Sequence, residues 1–216
     1  MNQGSSDTAQ PRPKASNIER YYRFHSMIYD ATRWTFLFGR NTILDLVARH
    51  GQPKHILEIG CGTGRNLTAL ARRFPEARLT GLDLSEAMLD LARRKSAALG
   101  DRITFVQQRY DAPLSTTPQY DLVLCSYALT MFNPGWDVAI DCAAQDLIPG
   151  GLLAIVDFHD SATPAFKRWM GVNHVRMDAH IRPQVQNVTQ PLEDHVRQAY
   201  GGLWQYMLYV GKKPQA

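Results

Sequence analysis

Cysteine is scarce in this chain, and the three present, Cys61, Cys125 and Cys142, stand far apart. No C-x-x-C pair occurs, which excludes a zinc-ribbon framework and a dithiol redox motif. An odd count at wide spacing also argues against a disulfide scaffold and fits reduced thiols in a cytosolic compartment. Long apolar runs are missing too: none approaches the ~18 residues that a transmembrane helix requires. His159, His174, His180 and His195 lack metal-ligand spacing, so no metal is expected. Charge of either sign is modest, 24 Lys and Arg against 20 Asp and Glu in 216 residues. That length fits one domain with a terminal extension, and internal repeats are absent. Residues 1–15 are polar and rich in Pro and Ser, without the apolar core of a signal peptide, and read as a disordered tail.

The net charge of +4 is unevenly placed. Residues 12–49 carry seven basic and three acidic side chains, an excess equal to that of the whole chain. A basic face of this kind suits an anionic membrane, a nucleic acid or an acidic substrate, although charge alone is equally served by a solvated helix.

Glycine, in contrast, is concentrated where it matters. The run His55-Ile-Leu-Glu58-Ile-Gly60-Cys61-Gly62-Thr63-Gly64 takes an apolar strand into a loop with glycine at alternate positions, followed by a helical pattern over 65–74. A second apolar stretch ends at Asp83, nineteen residues after Gly64. This is the layout of a nucleotide-binding βαβ unit: the glycines permit a tight turn and close approach to a ligand, and the acid accepts hydrogen bonds from ribose hydroxyls. The spacing is not the G-x-G-x-x-G that faces a pyrophosphate. Glu58 on the first strand repels phosphate and suits a cationic ligand. S-Adenosylmethionine meets those demands, with an amino group, a sulfonium, a ribose diol and no phosphate.

The sequence resembles the class I S-adenosylmethionine-dependent methyltransferases over residues 51–213. The resemblance implies an α/β, Rossmann-like fold with a mostly parallel seven-stranded sheet and helices on both faces. Strands are expected at 55–59, 78–82, 103–107, 120–125 and 151–157, with helices at 65–74, 85–99 and 136–147 between them. Residues 158–190 are read as helices and loops over the site, and 203–212 as a last, antiparallel strand. Two helical pieces over residues 17–50 form an N-terminal helical cap, assigned to 16–50, the second carrying Ile43, Leu44, Leu46 and Val47.

Ligands of open α/β sheets bind beyond the C-terminal strand ends. Those ends hold Glu58, Gly60, Cys61, Gly62 and Gly64, then Asp83 and Leu84, Asp111 and Ala112, and Ser126. By the resemblance, the glycines pass beneath the cofactor, Asp83 holds the ribose diol, Asp111 pairs with the adenine amino group, and Ser126 lies near the methionine moiety. Asp111 is also an ordinary turn residue before Ala-Pro, and Cys61 a small filler.

The stretch from Tyr21 to Arg40, with Tyr29-Asp-Ala-Thr-Arg33-Trp34 and Phe36-Leu-Phe38-Gly-Arg40, resembles the opening of the diacylglycerylhomoserine N-methyltransferases of bacterial betaine-lipid synthesis. The closing Tyr209-Val-Gly-Lys-Lys fits the same family. Three methyl transfers to the amine of a homoserine-headed glycerolipid are what this resemblance implies. The acceptor nitrogen must be neutral and held in line with the sulfonium methyl. His159, directly after the fifth strand, is a candidate base or orienting group. Tyr22 and Tyr29, with Tyr21, Trp34 and Trp169, could face the methylated cation. Arg33 is a candidate for a carboxylate of cofactor or head group. Phe36, Leu37 and Phe38 between arginines suggest an interfacial segment, and with it a cytoplasmic protein peripheral at the inner membrane face.

Phosphatidylethanolamine or a small amine is the competing acceptor. A nucleic-acid methyltransferase is disfavoured, since Cys125-Ser126-Tyr127-Ala128 stands where Asn/Asp-Pro-Pro-Tyr would, and no aromatic-basic RNA module is present. A methyltransferase-like fold serving only as a binding partner is the non-catalytic alternative.

Overall fold

In a computed structural model of the chain, residues 36–215 are described. Contacts divide the chain into Met1–Phe36 and Leu37–Ala216, and the account below concerns the second unit. The tail at 1–15, and Tyr21, Tyr22, Tyr29, Arg33 and Trp34, lie outside the described residues.

Helix α1, Arg40–His50, buries Ile43, Leu44, Leu46 and Val47, the stripe expected from their spacing. It starts after Gly39 at φ 77°, where an added Cβ would sit 2.8 Å from the Tyr206 ring. The left-handed turn and this close approach together require glycine. Helix α1 thus packs on the sheet, against the strands Leu147–Phe158 and Trp204–Lys212.

Strands β1 (His55–Ile59), β2 (Arg78–Asp83), β3 (Ile103–Gln107), β4 (Tyr120–Ser126) and β5 (Leu147–Phe158) alternate with helices α2 (Arg65–Arg73), α3 (Glu86–Lys95) and α4 (Trp136–Asp146). A short 3-10 turn, Ala97–Arg102, precedes β3. After β5 come α5 (Pro164–Val172), α6 (Ile181–Val188) and the pair β6 (Gln190–Ala199) and β7 (Trp204–Lys212). The sheet order is β3-β2-β1-β4-β5-β7-β6, with β7 antiparallel to both neighbours. Strand β6, absent from the sequence expectation, takes the outer edge. Strand β5 begins at Leu147, four residues before its expected start, because the β4 pairing continues across a register shift between Tyr120 and Leu122.

Apolar side chains at alternate positions of the central strands fix which layer lies where. Leu57, Ile59, Val123, Cys125, Leu153, Ile155, Met207 and Tyr209 form one core with Ala139, Ile140 and Ala143 of α4 and Ile181 and Val185 of α6. On the opposite side, the start of α1 meets Val156 and Leu208. All three cysteines are buried free thiols. None of the described helices is long and apolar enough to cross a membrane.

Candidate active site

Strand order reverses between β1 and β4, which places a crevice at their C-terminal ends. Three segments converge there. The first is the glycine loop after β1, where Gly60, Gly62 and Gly64 all have positive φ. They differ in what surrounds them. An added Cβ at Gly60 would fall 2.7 Å from the Ala128 methyl, and one at Gly64 2.9 Å from that of Ala92, whereas at Gly62 it would meet nothing within 4 Å. Gly60 and Gly64 therefore serve packing, and Gly62 borders open space. Cys61 is buried, and burial beside Glu58 and Asp83 pushes its thiol pKa up, so it is an inert filler of the loop.

The second segment is the end of β2. One carboxylate oxygen of Asp83 accepts the Gly62 N–H at 2.8 Å and the other the Ser85 N–H at 2.9 Å. The acid thus ties the glycine loop to the start of α3 and still has lone pairs to offer a diol. Ser85 caps α3 by accepting the Met88 N–H.

The third is the loop after β3. Arg109 pairs with Asp111 at 3.5 Å and donates to the Pro134 carbonyl at 3.3 Å, so it reaches across the mouth of the cleft. Tyr110 is buried and donates its phenol proton to Asp146 at 2.6 Å. Burial and that carboxylate hold its pKa well above the ordinary phenol value.

Between these segments lies a cavity of about 310 Å³ lined by Gly60, residues 82–84, 108–111 and 131–135. It brings together four of the expected cofactor residues, Gly60, Asp83, Leu84 and Asp111. Leu84 is 68% exposed, an apolar surface of the kind a flat ring covers. Ala112 is exposed and off the lining. The wall at 131–135 was not anticipated, although its Asn-Pro-Gly sequence is a turn signal. A more open recess of about 810 Å³ adjoins it beyond Asn133, Pro134 and Gly135.

Glu58 and Ser126 stand behind the cleft. Glu58 is 1% exposed; its Oε1 accepts from the Asn66 amide at 2.7 Å, and its buried Oε2 has no hydrogen-bond partner. Burial pushes its pKa up to about 8, against the opposing pull of Asn66 and the Arg40 charge. An unpartnered buried carboxylate oxygen beside a glycine loop fits a ligand that brings its own positive charge. Ser126 Oγ is likewise buried without a partner.

At the ends of β4 and β5, Tyr127 adopts φ 55°, a strained conformation for an aromatic residue, and donates its hydroxyl to the Phe38 carbonyl at 2.8 Å. Asp157, fully buried, accepts from Thr130 Oγ1 at 2.6 Å and from the Phe158 N–H at 2.9 Å, and burial raises its pKa to about 6. It thereby holds the turn that leads into the 131–135 wall.

The acceptor residues expected from sequence are less well gathered. His159 lies outside the cleft lining. It is half-buried, its Nδ1 lacks a partner, and burial with the nearby Arg182 charge lowers its pKa. Its backbone is fixed by bonds to Gln205 and Ala179. Trp169, on α5, is half-exposed and tilted against Phe166. Phe38, expected at a lipid surface, has its ring 5.4 Å from Tyr200, 5.8 Å from Trp204 and 6.1 Å from Tyr206, which leaves it 38% exposed. It anchors the start of α1 in an aromatic cluster that sequence reading missed. No group of three or more potential metal ligands occurs among the described residues.

Residues 56–151 match the family model of a methyltransferase domain. Trans-aconitate 2-methyltransferase of Acidovorax sp. (strain JS42) is 36% identical over 114 residues, 52% of this chain and 42% of that protein. Malonyl-[acyl-carrier protein] O-methyltransferase of Priestia megaterium (strain DSM 319 / IMG 1521) is 36% identical over 143 residues, 65% of this chain and 51% of that protein. The chain spans about half the length of these curated relatives. The N-methyltransferase NodS of Bradyrhizobium japonicum WM9, solved with S-adenosyl-L-homocysteine, superimposes with a TM-score of 0.67 at 23% identity, over 82% of this chain and 86% of that one. That likeness is one of fold. Over residues 56–151 the chain is thus similar to methyltransferase domains, and its seven-stranded sheet shares the fold of the solved methyltransferase above.

Proposed function

We propose that the protein is an S-adenosylmethionine-dependent N-methyltransferase whose cofactor occupies the cleft at the ends of β1, β2 and β3. The observation that carries this reading is the combination of Asp83, whose carboxylate keeps lone pairs to offer at the cleft, with the buried, half-partnered carboxyl of Glu58. Glu58 would face the amino group of the cofactor, Gly62 would leave room for its backbone-proximal atoms, and Asp111 would meet the adenine amine. The cofactor supplies a methyl group made electrophilic by its sulfonium. The chain's contribution is to hold that sulfur and an acceptor nitrogen in line and exclude water, which accounts for most of the acceleration such transfers need.

The acceptor we propose is the amine of a homoserine-headed glycerolipid, carried through three methylations at a membrane surface. Support for it is the sequence from Tyr21 to Arg40, in which Tyr22 and Tyr29 are the residues we assign to the growing cation and Arg33 the one we assign to a carboxylate. Those residues lie outside the described ones, and the relatives' names give other acceptors. Phosphatidylethanolamine or a small amine is the second reading, since the Tyr-Asp element is shared with enzymes acting on them. His159 is retained only as an orienting group.

Incubation of the full chain with labelled S-adenosylmethionine and a panel of diacylglycerylhomoserine, phosphatidylethanolamine and small amines tests this directly. Mono-, di- and trimethylated homoserine lipid by mass spectrometry is the expected product. Methylation of phosphatidylethanolamine alone would reject the lipid assigned here, and no labelled product with any amine would reject N-methylation.

A further inference from the structure

Asp146 is the last residue of α4, where the helix dipole and the free carbonyls disfavour a carboxylate. It is nonetheless 1% exposed and conspicuously well supplied with donors. Its carboxylate accepts the Tyr110 hydroxyl at 2.6 Å and the Leu114 N–H at 3.0 Å, and its main-chain carbonyl accepts the Gln119 N–H at 2.9 Å. Three donors from the long connection between β3 and β4 therefore converge on one residue. The other side of that connection, residues 108–111, is a wall of the cofactor cleft.

We infer that Asp146 is a positioning residue for nucleoside recognition: acting through Tyr110, it holds the loop after β3 in the shape that presents Asp111 to the cleft. The inference rests on the reading of that cleft as the cofactor site. A connection of this length has few fixed points of its own. With Tyr110 pinned from behind and Arg109 bonded to Pro134 in front, the loop is held on both sides. If releasing the rear anchor reduces the competent loop population to a tenth, the apparent dissociation constant rises about tenfold with no contact to the ligand removed.

The test uses the full chain with Asp146→Asn and Tyr110→Phe, the second keeping the buried ring while deleting its donor. Calorimetric affinities are measured for S-adenosylhomocysteine and for S-inosylhomocysteine, which lacks the adenine amine. Wild type should prefer the adenine compound. Each variant should bind it about tenfold more weakly and discriminate less between the two bases, with Tyr110→Phe sufficing where Asp146→Asn fails to fold. Unchanged affinity, or an equal loss for both ligands with discrimination intact, would overturn the inference and leave the cofactor site standing. Wild type that binds the two equally would show that the loop does not read the base, and overturn it as well. Wild type that binds neither would remove both this inference and the cofactor reading.

Discussion

Glu58→Gln should make the cofactor-free protein more stable and a poorer binder, and the size of the effect should depend on pH. The folded-state pKa of Glu58 is about 8 against an ordinary 4.5, because burial penalises its charged form. The folded chain thus retains a proton that the unfolded chain releases. Its contribution to stability is full below pH 4.5 and is lost as pH rises towards 8. At pH 7 the loss spans about two and a half pH units at about 1.4 kcal/mol each, a ceiling of about 3 kcal/mol. The introduced amide cannot titrate, while its carbonyl can still accept the Asn66 amide. Any cost of placing its NH2 where Oε2 lacked a partner is the same at every pH. Asp157, also raised, contributes equally to both proteins and cancels. Urea unfolding of the two proteins at pH 5, 6, 7 and 8 should therefore show a difference that grows in favour of the variant by a few kcal/mol. Parallel curves, offset by a constant, would refute the burial argument. In wild type, affinity for the cationic cofactor should rise over the same interval as Glu58 ionises, and the variant should lose both affinity and that dependence.

The remaining expectations concern neighbouring residues. Asp83→Ala removes acceptors of the Gly62 and Ser85 N–H groups as well as of the ribose, so S-adenosylhomocysteine should bind at least about tenfold more weakly by calorimetry, a lost bond to a charged group. Gly62→Asn, a side chain tolerated at positive φ and directed into open space, should reduce binding more than thermal stability, whereas Gly64→Ala, aimed at Ala92, should lower the melting temperature first. If the acceptor is the proposed lipid amine and Tyr29 its cation-binding residue, Tyr29→Ala should shift timed reactions towards mono- and dimethylated lipid; equal slowing of all stages, read by mass spectrometry, would refute that role.

What the sequence made legible follows from how local each determinant is. Strand β1 and strand β3 were expected at their observed bounds, since short apolar runs closed by glycine or polar residues state their own limits. The positions of Glu58 in β1 and Asp83 at the end of β2 were legible because strand, loop and second strand lie in one continuous stretch. Strand β6 was not: Gln190-Pro-Leu-Glu-Asp-His-Val-Arg-Gln-Ala is polar along most of its length, and only the edge position beside β7 allows such a sequence to pair. Pro191 is tolerated there, beside the irregularity before Glu193. The wall at 131–135 and the anchor at Asp146 were hidden for the opposite reason, since each acts on a loop distant in sequence. His159 shows the limit of position alone. It follows β5 as expected, yet its surroundings are Arg182, Asp160, Asp194 and His180, and it does not line the cleft.

The neighbouring of β1 and β4 also bears on how the molecule comes to be. Ile56 lies beside Leu122, and Ile59 beside Cys125, so this central pairing joins segments more than sixty residues apart, while β1 and β2 meet across a far shorter loop. Closing the longer loop has the greater entropic cost and waits for everything between to be laid down. Because the crevice exists only where those two strands meet, ligand affinity is among the last properties to emerge. A chain released from the ribosome before Ser126 could build the β1–α2–β2 unit and its glycine turn without possessing a pocket. During refolding, backbone dichroism should accordingly recover ahead of nucleoside binding, and the lag between the two signals measures the time taken to join the halves of the sheet.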